Sequence, residues 1–155
     1  MRGLRFRAHD EGPKAGGRSE VQSERFSAYF PRLFAYACAA TGDDEAARDV
    51  VVSAFSEAFS RPDTREGEFE LDLFRTARVI CMSGEYRVRR HNDGLSPRER
   101  EVISLVFDAQ LDRAQIGALL GIKQETVGTT LVRGLRKLRT SFASGGAVSA
   151  VPSFS

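Results

Sequence analysis

Leu95–Thr140 reads LSPREREVISLVFDAQLDRAQIGALLGIKQETVGTTLVRGLRKLRT, and its middle decides the fold. From Gln115 to Leu131 the apolar and small residues fall at Ile116, Gly117, Leu120, Gly121, Ile122, Val127 and Leu131. That is the spacing of a helix-turn-helix. Two helices crossing over a turn of three or four residues need a small side chain where they approach, and a residue tolerant of positive φ in the turn. Gly117 and Gly121 stand four apart, as this geometry requires. The second helix, expected from Gln124 to about Arg139, carries a polar and basic outer face of Gln124, Thr129, Arg133, Arg136, Lys137 and Arg139. Between Lys123 and Thr140 there are five basic residues and one acid, a balance suited to a helix lying against phosphates. Helix-turn-helix docking points the start of the second helix at base edges. The candidate DNA-contacting set is therefore Lys123, Gln124, Glu125, Thr126, Thr129, Arg133, Arg136 and Lys137, with Gln124, Glu125 and Thr129 nearest base edges and the later basic residues over the backbone. A bland alternative is a solvated basic face. Gly128 and Gly134 each cost this helix up to ~1 kcal/mol relative to Ala.

Working outward, Ser96, Pro97 and Glu99 form a helix-start signal: a capping hydroxyl, a proline at the first helical position and a carboxylate three residues after the cap. The helix they open is expected to reach about Asp108, burying Val102, Ile103, Leu105 and Val106, and Asp112 caps the next. Residues 95–140 thus form a three-helix module. Before it, Arg87–Gly94 (RVRRHNDG) is polar and basic and closes on glycine, a linker over 88–94. After it, 141–155 is rich in Gly, Ser and Ala without periodicity, a flexible tail.

The N-terminal half is also helical by pattern. Residues 1–22, rich in Gly and Arg, read as a disordered basic arm. From Ser23, Phe26, Tyr29 and Phe30 line one face before Pro31, which either starts a new helix or kinks the old one. Leu33, Phe34, Tyr36, Ala37 and Ala40 follow at helical spacing up to Thr41-Gly42. Asp43 or Asp44 caps a second helix with an acidic first turn. Its face of Ala47, Val50, Val51, Ala54, Phe55, Ala58 and Phe59 is too broad to leave in water, and Arg61-Pro62 ends it. A polar loop from Asp63 to Gly67 leads to a third helix over about Glu68–Arg87, with Leu71, Phe74, Ala77 or Arg78, and Cys81 or Met82 along one side. No stretch alternates apolar and polar long enough for a strand. The expected fold is all-α: two small helical modules, 23–87 and 95–140, the second a helix-turn-helix.

Composition bounds the function. The chain has 155 residues, 41% hydrophobic and 28% charged, an ordinary balance for a soluble protein. No apolar run approaches the ~20 residues of a membrane span, and no signal peptide is visible, so a cytoplasmic, membrane-free protein is expected. Cys38 and Cys81 belong to no metal-ligand spacing and only His9 and His91 accompany them, so no metal is expected. No paired carboxylates, nucleophile–base set or phosphate-binding glycine loop is present, and neither catalysis nor a cofactor is expected. The charge is unevenly placed: ten acids and five bases over 24–70, against five acids and eight bases over 95–140. Acid in front and base behind suits two modules facing different partners.

The pair FSAYFPRLFAYACAATGDDEAARDVVVSAFSEAF and LSPREREV with its helix-turn-helix resembles bacterial sigma factors of the extracytoplasmic-function type, over about Ser23–Thr140. The resemblance implies a dissociable subunit that binds core RNA polymerase and directs promoter-specific initiation, with core polymerase and promoter DNA as partners and an anti-sigma factor as a further one. It places Asp49, Val50, Ser53, Phe55 and Phe59 on the polymerase-binding helix, and Phe69, Leu73, Phe74, Arg75, Ala77 and Arg78 on the promoter-opening helix. Each position has a plainer alternative. Phe55, Phe59 and Phe74 also lie on the apolar stripe and fit a core, Asp49 is also a charge near a helix start, and Arg78 could pair with an acid of the second helix.

The chain departs from the family at Val52 (usually Gln), Phe59 and Asp72 (usually Trp), Val79 (usually Asn) and Ser83 (usually Asp). Gly128 and Thr130 stand where such recognition helices often carry Lys and Arg, and Lys123 where Ser usually caps. Arg87–Gly94 spans at most about 28 Å when extended, a short linker for this family. Two other readings follow: a sigma-like protein acting by mimicry toward an anti-sigma factor, and a LuxR-type DNA-binding regulator, which shares the LSPREREV and ETV stretches but would need an α/β domain in the first 90 residues.

Overall fold

The computed structural model describes residues 2–61, 64–84 and 93–149, and among them the chain forms six α-helices and no strand. They are α1 Arg2–Thr41, α2 Asp44–Ser60, α3 Glu66–Ser83, α4 Pro97–Phe107, α5 Arg113–Leu120 and α6 Gln124–Ser149. The all-α expectation holds, and the helices group as two bundles, α1–α3 and α4–α6, that touch each other.

In the first bundle α2 begins at Asp43, whose carboxylate accepts the backbone N–H of Ala46 at 2.9 Å, satisfying one of the orphan donors of the first turn. A run of aromatic rings leads from the surface at Phe26 into the core. Phe26, Phe55, Phe59, Phe69 and Tyr29 follow one another at centroid separations of 4.8, 5.4, 5.7 and 5.7 Å, joining all three helices. Leu33, Val50, Leu73 and Phe74 are fully buried beside them. Arg25 lies 4.4 Å from the Phe69 ring and donates to Glu66, so one end of this core is closed by a cation over an aromatic face.

Several boundaries differ from the sequence reading. α1 is helical from Arg2, where a disordered arm was expected, and continues through Pro31, so of the two readings of that proline a new helix start does not hold. Once residues 29–37 fix a helix by packing, each added residue costs only propagation rather than nucleation, so helix geometry extends outward over the exposed residues 16–20. α3 spans Glu66–Ser83 rather than Glu68–Arg87, and it buries Phe69, Leu73, Phe74, Thr76 and Ala77, while Leu71 and Cys81 are only half-buried and Met82 is exposed. The face is rotated because Phe69, which the periodic pattern omitted, is the ring that meets Tyr29 and Phe59. α6 continues to Ser149, past the expected start of the tail. Of the linker 88–94 only Asp93 and Gly94 fall among the described residues; 85–92, Pro62-Asp63, Met1 and 150–155 lie outside them.

In the second bundle the capping box at Ser96 forms as expected. The Ser96 hydroxyl accepts from Glu99 N at 3.2 Å, and Glu99 Oε2 accepts from Ser96 N at 3.0 Å. Asp112 and Gln115 form a second such box at the start of α5. Val102, Leu105, Ile116 and Val127 are fully buried at the centre.

Two arginines join the bundles. Arg32 of α1 donates to the carbonyl oxygens of Ala109 (2.8 Å) and Gln110 (3.3 Å) at the α4–α5 turn, and also pairs with Glu70. Arg78 of α3 pairs with Glu101 of α4, not with an acid of the second helix. Burial and the nearby Glu101 carboxylate hold the Tyr36 hydroxyl above its ordinary pKa range, so Tyr36 stays neutral at this junction.

Candidate nucleic-acid interface

The turn between α5 and α6 is built by two glycines with different tasks. Gly121 ends α5 in the left-handed region (φ 68°, ψ 34°), and the N–H groups of Gly121 and Ile122 both reach back to the Gly117 carbonyl, the latter at 3.0 Å. Gly117 is the close-approach position: a Cβ there would lie 2.8 Å from the Ile122 carbonyl oxygen, and backbone cannot step aside. The chain therefore turns tightly enough for α6 to begin at Gln124 across the α5 surface.

α6 packs inward through Val127, Thr130 and Gly134. Its opposite side is free. Lys123, Gln124, Glu125, Thr126, Thr129, Arg133 and Arg136 are all exposed, and neither Arg133 nor Arg136 forms an ion pair among the described residues. The Thr129 hydroxyl donates to its own helix at Glu125 O (2.9 Å), a bond readily exchanged for an external acceptor. Lys137 is different. Its ammonium donates to both carboxylate oxygens of Glu99, at 2.9 and 3.1 Å, and Glu99 is buried. The Ser96 N–H first, then Lys137, keep the Glu99 carboxyl below the usual range, so this pair remains ionised. Lys137 thus ties α6 to α4 before it offers anything to a phosphate.

A shallow groove of about 820 Å³ runs along this outer side, lined by Arg113, Glu125, Thr129, Arg133 and Arg136 among others. Arg113 was missed in the sequence reading. The available signal was its place directly after the Asp112 cap, at the start of the first helix of a helix-turn-helix, the helix that crosses the DNA backbone.

In the first bundle the candidates divide by burial. Asp49 and Ser53 are exposed one turn apart on α2. Val50 and Phe55 point into the core, because α2 needs that face to cover α1, and so they have no free surface for a partner. Phe69 and Phe74 are likewise core rings and not exposed stacking platforms. Arg75 is exposed and paired with Asp72 of its own helix at 2.9 Å, and Arg78 is held by Glu101.

The second bundle is thus a helix-turn-helix whose outer side carries the exposed Arg133 and Arg136, neither in an ion pair among the described residues. Residues 93–140, this bundle alone, match the family model Sigma-70, region 4, so the segment is of the kind found in sigma factors and related DNA-binding regulators. No curated protein matches the chain. Among the described residues no helix is long and apolar enough to cross a membrane.

Proposed function

We propose that the chain is a cytoplasmic sigma factor of the extracytoplasmic-function type, which binds core RNA polymerase through α2 and directs initiation at promoters recognised by α6. The observation that carries this reading is the outer face of α6 within the segment matched to region 4: exposed Gln124 and Thr129 at its start, unpaired Arg133 and Arg136 behind them. That order suits base edges followed by phosphates. The exposed Asp49 and Ser53 of α2 support the polymerase assignment, since they are polar groups that the first bundle does not use for its own packing.

Reconstitution with core RNA polymerase tests both halves. The chain is expected to bind core and to support a promoter-dependent transcript, and Asp49→Lys is expected to weaken core binding. Unchanged affinity in a folded Asp49→Lys variant would remove α2 from the interface. On DNA, Gln124→Ala or Thr129→Ala should alter which promoter is preferred. Arg133→Ala or Arg136→Ala should weaken all binding and flatten its salt dependence by roughly one counterion each.

A second reading has its own support. Phe69 and Phe74 are buried and Arg78 is engaged by Glu101, so α3 offers few free groups for catching flipped bases. A sigma-like protein that has given up strand opening and works by protein mimicry would retain partner binding and produce no transcript, which the same reconstitution distinguishes.

A further inference from the structure

Gly128 is a half-buried, helix-interior glycine of α6 between buried Val127 and exposed Thr129, a position where glycine costs the helix stability and no turn requires it. The reason for the missing side chain lies in α5. A Cβ on Gly128 would stand 3.3 Å from Nη1 and 3.8 Å from Cδ of Arg113, so the Arg113 side chain crosses α6 at this residue. The Arg113 guanidinium forms no ion pair among the described residues, and Arg113 is exposed and lines the same groove as Glu125, Thr129, Arg133 and Arg136. A free, permanently charged fork is thus carried across a gap in the recognition helix and held among the residues that face outward.

We propose that Arg113 is a DNA-contacting residue that supplies, from α5, the positive charge that α6 lacks at Gly128, and that its ligand is a backbone phosphate at the groove edge. The assignment rests on the reading of α6 as a DNA-recognition helix. A phosphate is preferred to a base because Arg113 begins the helix that crosses the backbone, whereas Gln124 and Thr129 occupy the part of α6 that points at bases. Gly128 is then a passage: a Cβ there would stand 3.3 Å from Nη1, so the guanidinium would have to give by a few tenths of an ångström, and a longer side chain would push it further.

The test uses the full chain and a pool of duplexes with a randomised central segment, from which bound sequences are selected and re-measured by fluorescence anisotropy across a salt series. Arg113→Ala should weaken binding on the order of ten-fold at 0.1 M salt, reduce the salt slope by about one counterion, and leave the selected sequences unchanged. Arg113→Lys should restore the slope. Gly128→Ala should weaken binding in the same direction, and the double variant should lose no more than Arg113→Ala alone, because both changes remove one contact. Circular dichroism melts check that each variant is folded. Binding by Arg113→Ala equal to the unaltered chain, alongside clear loss in Arg133→Ala, would overturn this proposal and leave the reading of α6 intact. A changed base preference with an unchanged salt slope overturns the phosphate assignment, and wild-type binding by Gly128→Ala overturns the passage. Absence of salt-dependent binding by the unaltered chain overturns both this proposal and the reading it rests on.

Discussion

At the scale of single residues, the side chains that matter are those with more than one task. Asp93 accepts two hydrogen bonds from Arg100, both at 2.7 Å, and the Leu95 N–H at 3.1 Å. The Arg100 guanidinium first, then that N–H, pull its carboxyl down to about 2, against an ordinary value near 4 in the unfolded chain. A folded-state pKa below the unfolded one contributes stability that is present above about pH 4 and lost as pH falls from there toward 2. Asp93→Asn should therefore cost about 1 kcal/mol at neutral pH, since the pair is partly solvated. It should also make urea midpoints less dependent on pH between 4 and 2; an unaltered acid limb would show that Asp93 contributes nothing there. Phe74 is the opposite kind of residue, wholly buried against Tyr36 at 6.2 Å between centroids. Phe74→Ala should cost about 3–5 kcal/mol in chemical denaturation, the amount for emptying a core ring site, and a loss below 1 kcal/mol would mean the ring is not where the core needs it.

Among the elements, α5 and α6 show how the same steric number has different consequences. A Cβ at Gly117 and a Cβ at Gly134 would each meet an atom at 2.8 Å. At Gly117 that atom is the backbone oxygen of Ile122, fixed by the turn. At Gly134 it is Cδ1 of Ile103, the far end of a side chain that can change rotamer. Gly117→Ala should then destabilise the second bundle by about 1–3 kcal/mol. Gly134→Ala should be close to neutral, as the gain of up to ~1 kcal/mol in helix propensity offsets the adjustment of Ile103. Thermal melts of the two variants, compared directly, decide the point: equal losses would contradict it.

For the whole molecule, one hydrophobic core runs through both bundles, and two arginines add polar bonds across the junction. Arg32 reaches two carbonyls of the α4–α5 turn, where Gln110 stands at φ 56°, and Arg78 reaches Glu101. These are charge-assisted bonds at partly buried sites, each worth about 1–3 kcal/mol when one partner is removed. Replacing both Arg32 and Arg78 by Ala should loosen the junction between the bundles. The expected readings are a larger radius of gyration by small-angle scattering and separate melting of the two bundles; an unchanged radius would place the junction's strength elsewhere.

What the sequence determined by itself is what local chemistry encodes. The capping box at Ser96, the cap at Asp112, the left-handed stop at Gly121 and the close approach at Gly117 each depend on residues within six positions of one another, and all four formed as read. The all-α class and the polar outer face of α6 follow from periodicity and belong to the same level. What the tertiary structure decided concerns partners far apart in the chain. Lys137 reads as one of three equivalent basic residues, yet Glu99, 38 positions earlier, claims it. Arg78 faces α4 rather than α2, and Phe69, which the apolar stripe read for α3 did not include, became core because three helices close over it. Arg113 and Gly128 are unremarkable apart from each other; only the crossing of α5 and α6 sets the guanidinium over the glycine. Helical periodicity specifies which face of an element is apolar, but which charged residue meets which depends on the packing of faces, and that is a property of the folded chain alone.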